Sequence, residues 1–333
     1  MRKTILICLL ATLFIVVLAG SAPAQKKAAP SVVPIPPELA NLPTIKAEPW
    51  LKIEDNPETF LEGPAFDRKG NLYITSVFDG RIFKITPDKK VSTIFNNKSI
   101  NPDGLAIHKD GRLFAACVSG ELLAMNTDGS NVTNYDAKYN GKPKSLNDLV
   151  FDGKGNLYVT DFTGTPANPT GGIYRYSADF KTVQPVYQGM ASANGIVLSQ
   201  KGNEIWASES GRGALLHLQL LEDGITLSPI IGANYPYYFT GHPGPDSIAI
   251  DQNGNIYQAM VFQGRGVILN KSAIPIANIV IPGRDEGKHL GTTKMAFKPG
   301  TRDVYIMAWG NGGAWIYKFL GLAEGLKLFS HQE

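Results

Sequence analysis

Cysteine is scarce in this sequence of 333 residues, which contains only Cys8 and Cys117. Cys8 lies in an N-terminal segment that we expect to be removed, so an intrachain disulfide is excluded in the remaining chain. Cys117 lies in the apolar stretch LFAACVSG, and we expect it to be a thiol packed in the core.

A strong charge of either sign is also missing. The 32 Lys and Arg residues against 29 Asp and Glu residues give a formal net charge of +3. This charge is too small and too scattered to indicate a nucleic-acid-binding surface, and we predict no nucleic-acid partner. The Lys-rich stretch GKPKS is accordingly expected to be a solvated loop.

Long apolar runs are limited to Ile5–Leu18, which follows Arg2 and Lys3 and precedes the small-residue stretch SAPAQ. This order is typical of a secretory signal peptide, which we assign to residues 1–24 with cleavage after Ala24. The run is shorter than the roughly 20 apolar residues of a membrane span. The residue directly after the cleavage site is Gln25 and not Cys, so a lipid anchor is not expected. We predict a secreted or periplasmic chain that is free of the membrane after cleavage.

Motifs for a nucleophilic serine or a catalytic zinc ion are absent as well. The sequence contains neither a G-x-S-x-G elbow nor an H-E-x-x-H pair. Acyl-serine and zinc-protease mechanisms therefore have no support in the sequence.

The predicted signal peptide is followed by a second segment that is poor in core-forming patterns. Residues 25–49 are rich in Pro and Ala, and we predict an extended linker here rather than part of a core. Residues 50–333 then form the folded domain.

The folded part shows no convincing amphipathic helix, and instead one strand–turn–strand motif recurs six times. The copies start 41 to 52 residues apart, with the stretches EGPAF, DGLAI, NDLVF, NGIVL, DSIAI and TKMAF. A Gly-bearing turn follows each copy. The next strand then carries an aromatic residue at its second position: Tyr73, Phe114, Tyr158, Trp206, Tyr257 and Tyr305.

A unit of four short strands that repeats every 40 to 50 residues is typical of a β-propeller blade. We therefore predict an all-β fold, a six-bladed β-propeller of four-stranded blades around a central channel. The recurring aromatic residues are interpreted as packing between blades. The fourth strand of the last blade is either the C-terminal stretch LKLFSH or an N-terminal stretch near Trp50, and the sequence leaves both open.

The first strand of each blade lines the channel of a propeller, so the first polar residue of every copy should face the same channel mouth. These residues are Glu62, Asp103, Asn147, Asn194, Asp246 and Thr293. Carboxylate and amide oxygens gathered in this way are the ligands that Ca²⁺ prefers, and soft ligands for zinc or copper are missing. Turn capping by each Asp or Asn is the simpler alternative for any single residue.

The stretches LEGPAF, SLNDLVFDGKGNLYVTDF, SANGIVLS and GPDSIAID resemble the senescence-marker-protein, gluconolactonase and luciferin-regenerating-enzyme family of six-bladed propellers. The stretch YYFTGHPGPDS is similar to the drug-responsive, calcium-dependent bacterial lactonases within that family. The resemblance extends over essentially everything from Trp50 onward.

The resemblance implies one Ca²⁺ at the channel mouth, held by Glu62, Asn147, Asn194 and Asp246, with Ser247 also facing the metal. It assigns proton transfer to Asp246. A second, peripheral calcium found in such lactonases is not expected here, because the link YDAKYNGKPKSLND has three Lys residues and few acids.

The predicted function is that of a secreted calcium-dependent lactonase, in which Ca²⁺ polarises the carbonyl of a small lactone or ester. Asp103, His242 and Thr293 are candidate substrate-facing residues, and His289 is a further histidine near the mouth. Two alternatives stay open: a phosphotriesterase that hydrolyses organophosphates with the same cage, and a non-catalytic ligand-binding propeller with structural calcium.

Overall fold

The computed structural model describes residues 33–135, 138–140 and 144–332. The predicted signal peptide and the first part of the predicted linker lie outside these residues. Within them the chain forms six sheets, each with four antiparallel strands, and a few single-turn 3-10 helices. This confirms the predicted six-bladed β-propeller.

Blades 1 to 3 follow each other along the chain, and each starts with its innermost strand. Blade 1 contains β3 (Leu61–Phe66), β4 (Leu72–Ser76), β5 (Arg81–Ile85) and β6 (Val91–Asn96). Blade 2 contains β7 (Pro102–Ile107), β8 (Leu113–Cys117), β9 (Leu122–Met125) and β10 (Thr133–Tyr135). Blade 3 contains β11 (Leu146–Phe151), β12 (Leu157–Asp161), β13 (Gly171–Tyr176) and β14 (Val183–Met190).

Blades 4 to 6 have the same order, but blade 6 takes its outer strand from the other end of the chain. Blade 4 contains β15 (Ala193–Leu198), β16 (Glu204–Glu209), β17 (Ala214–Gln219) and β18 (Ala233–Tyr238). Blade 5 contains β19 (Pro245–Ile250), β20 (Ile256–Met260), β21 (Arg265–Leu269) and β22 (Pro275–Val280). Blade 6 contains β23 (Gly291–Phe297), β24 (Asp303–Trp309), β25 (Ala314–Leu320) and the N-terminal strand β2 (Glu48–Glu54). The 3-10 helices are Pro37–Leu39, Ser210–Arg212, Arg284–Glu286 and Phe329–His331.

Strand β2 closes the ring by pairing antiparallel with β25, with Leu51 opposite Ile316. This decides between the two closures that the sequence left open. A three-residue strand, β1 (Thr44–Lys46), also adds to the free edge of blade 5 in parallel with β22.

The segment predicted as a linker therefore needs a correction from residue 33 onward. Besides forming β1 and the start of β2, it buries the side chains of Leu39 and Ala47 against the blades. It is extended, as expected, but it covers sheet edges that would otherwise carry unpaired backbone groups.

The six recurring aromatic residues are buried, and each belongs to a hydrophobic cluster that joins its own blade to the next one. Tyr73 packs with Leu105 of blade 2, and Tyr305 packs with Leu61 of blade 1, which completes the circle. Cys117 is buried in the first of these clusters, as the sequence predicted. The aromatic residues are therefore core residues, not a ligand platform.

The C-terminal stretch LKLFSH crosses the far end of the channel. The amide of Leu326 donates to the carbonyl of Ile250 in blade 5, and Arg68 of blade 1 donates from Nε to the carbonyl of Ser330. Phe329 packs against Phe151 of blade 3. The tail thus ties several blades together at that end. Within the described residues, no helix is long and apolar enough to cross a membrane.

Candidate active site

The six inner strands share an irregularity at the position that the sequence singled out. Each of these strands shifts register against its neighbour at its start, for example between Pro245 and Ile248 in blade 5 and between Leu146 and Leu149 in blade 3. A bulge of this kind redirects a side chain out of the regular alternation. Asp246 and Asn147 lie inside these two bulges, at the channel mouth.

Hydroxyl groups of neighbouring blades hold the bulges in place. Thr75 donates to the carbonyl of Asp103 at 2.9 Å, Thr160 to that of Asn194 at 2.5 Å, and Ser208 to that of Asp246 at 2.5 Å. Each hydroxyl is on the second strand of one blade, and each carbonyl is in the bulge of the next. The positions of the polar side chains are therefore set by the packing between blades.

Four of the five predicted ligands lie in two hydrogen-bonded groups, the first of which also contains Asp103. Asn147 donates from Nδ2 to Oδ2 of Asp103 at 3.0 Å. On the other side, Ser247 donates to Oδ1 of Asn194 at 3.2 Å, and Asn194 also hydrogen-bonds the Asp246 side chain. All five side chains are at most 6 % exposed.

Several oxygens at the mouth have no partner. Within the described residues these are Glu62 Oε1, Asp103 Oδ1 and Asn147 Oδ1, whereas the other Glu62 oxygen accepts from the amide of Gly63. Unsatisfied acceptors are costly in a buried site unless a cation or a donor meets them. Their hard oxygen chemistry fits Ca²⁺.

The three carboxyl groups of the ring have raised pKa values. Burial raises the pKa of Glu62 well above its ordinary value, and repulsion by Asp103 and Asp246 adds to the effect. The pKa of Asp103 is raised in the same way, by burial and then by Asp246. Burial raises the pKa of Asp246 to about 7, although its hydrogen bond with Asn194 opposes this shift. A bound cation would relieve the repulsion.

The carboxyl groups alone do not form a metal site. Among the described residues, no three or more His, Cys, Asp and Glu side chains are grouped closely enough to hold a metal ion. A cation at this mouth would therefore need amide, hydroxyl and water oxygens in addition to carboxylate oxygens, and the ring supplies the first two of these.

An ion pair that was not predicted from the sequence lies next to the ring. Lys294 of blade 6 contacts Oδ1 of Asp148 in blade 3, and both side chains are buried. Blades 3 and 6 lie opposite each other in a six-bladed ring, so the pair spans the channel. Asp148 also accepts from the amides of Leu149 and Ile196.

A signal for this pair is present in the sequence alignment of the six motif copies. The residue after the ring position is Gly63, Gly104, Gly195 or Ser247 in four copies, and it is charged only in Asp148 and Lys294. The small residues leave room for the pair, since a Cβ atom at Gly104 would lie 2.7 Å from Asp148 Oδ1. A negative and a positive residue in blades that face each other, with small residues at the same position in the other four blades, therefore indicate a contact across the channel.

Beyond the ion pair the channel widens into a cavity of about 770 Å³. Phe66, Phe151, Ile250 and other apolar residues of the inner strands line it together with the C-terminal tail. Lys294 lines the cavity, but the described ring residues at the mouth do not. The ion pair thus lies between a polar mouth and an apolar far end.

The candidate substrate-facing residues lie in different environments. Thr293 is fully buried, and its hydroxyl donates to the carbonyl of Leu61 at 2.6 Å, so this hydrogen already has a partner. His242 is exposed on the loop before β19. His289 is buried with its Nδ1 atom 2.7 Å from the Tyr317 hydroxyl. Of the three candidate substrate-facing residues, as far as the structure describes them, only Asp103 presents an unpartnered oxygen to the mouth.

Comparison with known proteins agrees with this architecture. Residues 60–306 match the model of the SMP-30/Gluconolactonase/LRE-like region. The chain belongs to this family. The family resemblance that the sequence motifs indicated is thereby confirmed.

One relative of this family member is the lactonase drp35 of Staphylococcus saprophyticus. It is 43% identical over 311 residues, which is 91% of this chain and 95% of the relative. The similarity therefore extends over nearly the whole length of both proteins.

Solved structures share the fold. A luciferin-regenerating enzyme aligns with a TM-score of 0.69 and 21% identity over 83% of this chain and 98% of its own. Regucalcin of Agrobacterium tumefaciens, described as a calcium-binding protein, aligns with a TM-score of 0.68 and 17% identity, covering 85% of this chain and 98% of its own.

The channel ion pair generates a stability prediction. Lys294→Met leaves the Asp148 carboxylate buried without its ammonium partner, which should lower the free energy of unfolding by about 3–5 kcal/mol. The double variant Lys294→Met/Asp148→Asn should recover part of the loss, because no unpaired charge remains, although Asn can accept from only one of the two backbone amides that Asp148 satisfies. Urea unfolding of the single and double variants measures both values.

Lys318→Met is the matched control, because Lys318 pairs with Asp303 at 2.8 Å in a partly exposed position. It should cost less than about 1 kcal/mol. Wild-type stability of Lys294→Met, or a double variant no more stable than the single one, would contradict a stabilising pair.

Proposed function

We propose that this protein is a calcium-dependent lactonase that hydrolyses a small lactone or ester at the polar mouth of the channel. The observation that carries the proposal is the buried ring of carboxyl and amide groups with unpartnered oxygens. A 43% identical relative named as a lactonase, aligned over 91% of this chain, supports the reaction.

Calcium is proposed from the chemistry of the donors. Glu62, Asn147, Asn194, Asp246 and Ser247 would hold it through carboxylate, amide and hydroxyl oxygens, in line with its preference for oxygen ligands. Regucalcin of Agrobacterium tumefaciens, which shares the fold, is described as calcium-binding. When bound, the ion supplies Lewis acidity that polarises a carbonyl oxygen and stabilises negative charge on it.

Asp246 is the proposed catalytic residue. Its carboxyl group lies buried at the mouth beside the other proposed ligands, where it can accept a proton from water and return it to the leaving oxygen. Asn194, which hydrogen-bonds Asp246 and accepts from Ser247, fixes the orientation of the carboxyl group. Asp103 Oδ1 is free to accept a hydrogen bond from a substrate hydroxyl group.

The rest of the channel mouth positions the substrate. The pair of Lys294 and Asp148 fills the channel next to the ring and limits how deeply a substrate enters. His242 is on the exposed loop that precedes Asp246, where it can contact the part of a substrate that projects from the mouth.

The role of Asp246 is tested by Asp246→Asn. The amide keeps a carbonyl oxygen for calcium but has no basic oxygen for the proton, so turnover of an aromatic lactone should fall by about 100- to 10,000-fold. Calcium should still bind. Steady-state kinetics with calcium titrated into the assay measure both effects.

Asn194→Ala is the matched control, since it removes an amide oxygen but leaves the Asp246 carboxylate. Added calcium should restore much of its activity. Equal losses in the two variants, both restored by calcium, would show that Asp246 acts only as a ligand. A phosphotriester assayed in parallel should be a poor substrate; faster turnover of it than of lactones would favour the organophosphate alternative.

Calcium binding should depend on pH. The raised pKa values of Glu62, Asp103 and Asp246 mean that the folded, metal-free protein holds protons which the unfolded chain releases above about pH 4. Stability from these protons is complete below about pH 4 and is lost as the pH rises through the raised pKa values, which for Asp246 is about 7. Calcium replaces the protons, so the rise in Tm from calcium over chelator should be larger at pH 8 than at pH 5.

Scanning fluorimetry with calcium or chelator at the two pH values makes this measurement. Glu62→Gln should reduce the calcium effect at pH 8, because it removes one negative charge from the mouth. A calcium effect that is the same at both pH values, or a larger effect of zinc, would refute the proposed site.

Export through a cleaved signal peptide is the proposed route to the periplasm or the medium. The basic start, the apolar run Ile5–Leu18 and the small residues up to Ala24 support it. N-terminal sequencing of the mature protein from its native host should begin at Gln25. A chain that retains residues 1–24 in the cytosol would rule the proposal out.

A further inference from the structure

Arg265 is an unusual residue for the interior of a propeller. It begins β21 in blade 5, and its long, charged side chain is fully buried. Its Nε atom donates to Oε1 of Gln263 at 2.9 Å. Its Nη1 and Nη2 atoms have no hydrogen-bond partner among the described residues.

Within the described residues Arg265 forms no ion pair, although Tyr237 and Glu38 attract its charge. Gln263 has used its amide oxygen on Arg265, and its Nε2 donor has no partner within the described residues. Arg284, which is nearby, is also buried. The burial of Arg265, and to a smaller extent repulsion by Arg284, lower the pKa of Arg265 to about 10. A buried charge without a counter-charge is strongly unfavourable.

Nearby acids do not neutralise this charge directly. Glu38 attracts Arg265, but its Oε1 atom accepts from Thr240 and it makes no ion pair with Arg265 in the described structure. Asp285 pairs with Arg284 at 2.8 Å. Residues 1–32, which the structure does not describe, contain no Asp or Glu.

Blade 1 shows how the fold satisfies an arginine at the same position. Arg81 begins β5, the third strand of its blade, as Arg265 begins the third strand of blade 5. Arg81 donates to both oxygens of Glu54 and to Oδ2 of Asp79. In blade 5 the residue two positions earlier is Gln263 instead of an acid. Among the described residues no carboxylate hydrogen-bonds Arg265, so blade 5 has the arginine without the anions that blade 1 provides.

The location is buried on the mouth side of the propeller, beneath an exposed loop. Arg265 pairs with Met260, and Met260 pairs with Pro245, so Arg265 is two strands, or about 10 Å, outward from the residue before Asp246. The exposed loop around Gly241 lies directly over Gln263, since a Cβ at Gly241 would be 2.6 Å from Gln263 Nε2.

We propose that Arg265 and Gln263 bind a small oxyanion, such as a carboxylate group, beneath the loop around Gly241. Two Nη donors in one plane match the two oxygens of a carboxylate, and Gln263 Nε2 supplies a third hydrogen bond. Arg284 adds positive charge. The site is distinct from the ring at the channel mouth and does not depend on the lactonase proposal.

Thermal unfolding at constant ionic strength tests the site. The Tm of the chain without residues 1–24 is compared in sodium acetate, sodium phosphate and sodium chloride. Acetate tests binding of a carboxylate, and phosphate tests binding of an inorganic oxyanion. At about a hundredfold excess over Kd, a bound anion should raise Tm by ~5 °C. The rise should exceed that in chloride.

Two variants identify the residues. Arg265→Met removes the charge, so without oxyanion it should unfold at or above the wild-type temperature, and it should lose the response to acetate and phosphate. Gln263→Glu places a carboxylate where blade 1 has Asp79, so it should raise Tm without added anion and also abolish the response. The second variant keeps the test decisive if the first fails to fold.

Arg81→Met is the matched control, because that arginine already has carboxylate partners. It should lower Tm and retain the full oxyanion response. The proposal is overturned if neither acetate nor phosphate raises the wild-type Tm above its value in chloride. It is also overturned if Arg265→Met or Gln263→Glu responds as the wild type does.

Discussion

The need of each blade for two neighbours governs this structure. A four-stranded sheet has two apolar faces and cannot cover them alone, so the hydrophobic clusters form only between blades. The clusters around Tyr73 and Tyr305 show this at both ends of the chain, since the second joins blade 6 back to blade 1. Pairing of β2 with β25 completes the last sheet. Cohesion therefore requires a closed ring.

Closure of the ring has an electrostatic consequence. The inner strands converge on one axis, so polar residues far apart in the chain, such as Glu62 and Asp246, meet in one buried mouth. Burial raises the pKa of both groups, and repulsion adds to the rise, from Asp103 and Asp246 at Glu62 and from Asp148 at Asp246. The ammonium group of Lys294 opposes this rise for both carboxyl groups. The fold thus concentrates negative charge and supplies part of its compensation from Lys294 in blade 6, which lies between the blades of Glu62 and Asp246.

The sequence predicted much of the fold and of the ring because the repeat fixes both. Register alone placed Asn147 and Asn194 at equivalent positions, and the bulges in the structure agree. The pair of Lys294 and Asp148 was missed because each residue, taken in its own motif, looks like an ordinary variation. The unpartnered Nη atoms of Arg265 were equally hidden from the sequence. Glu54 meets the equivalent arginine in blade 1, whereas no described acid takes that place in blade 5.

The sequence by itself determined the number of blades, the strands that line the channel and the residues that face its mouth, because these follow from a local repeat. Only the tertiary structure decided that β2 closes the ring, that the C-terminal tail crosses the far end and that Lys294 reaches Asp148. These features join segments separated by 100 residues or more. Contacts of that kind depend on how the blades close around the axis, which no single motif encodes.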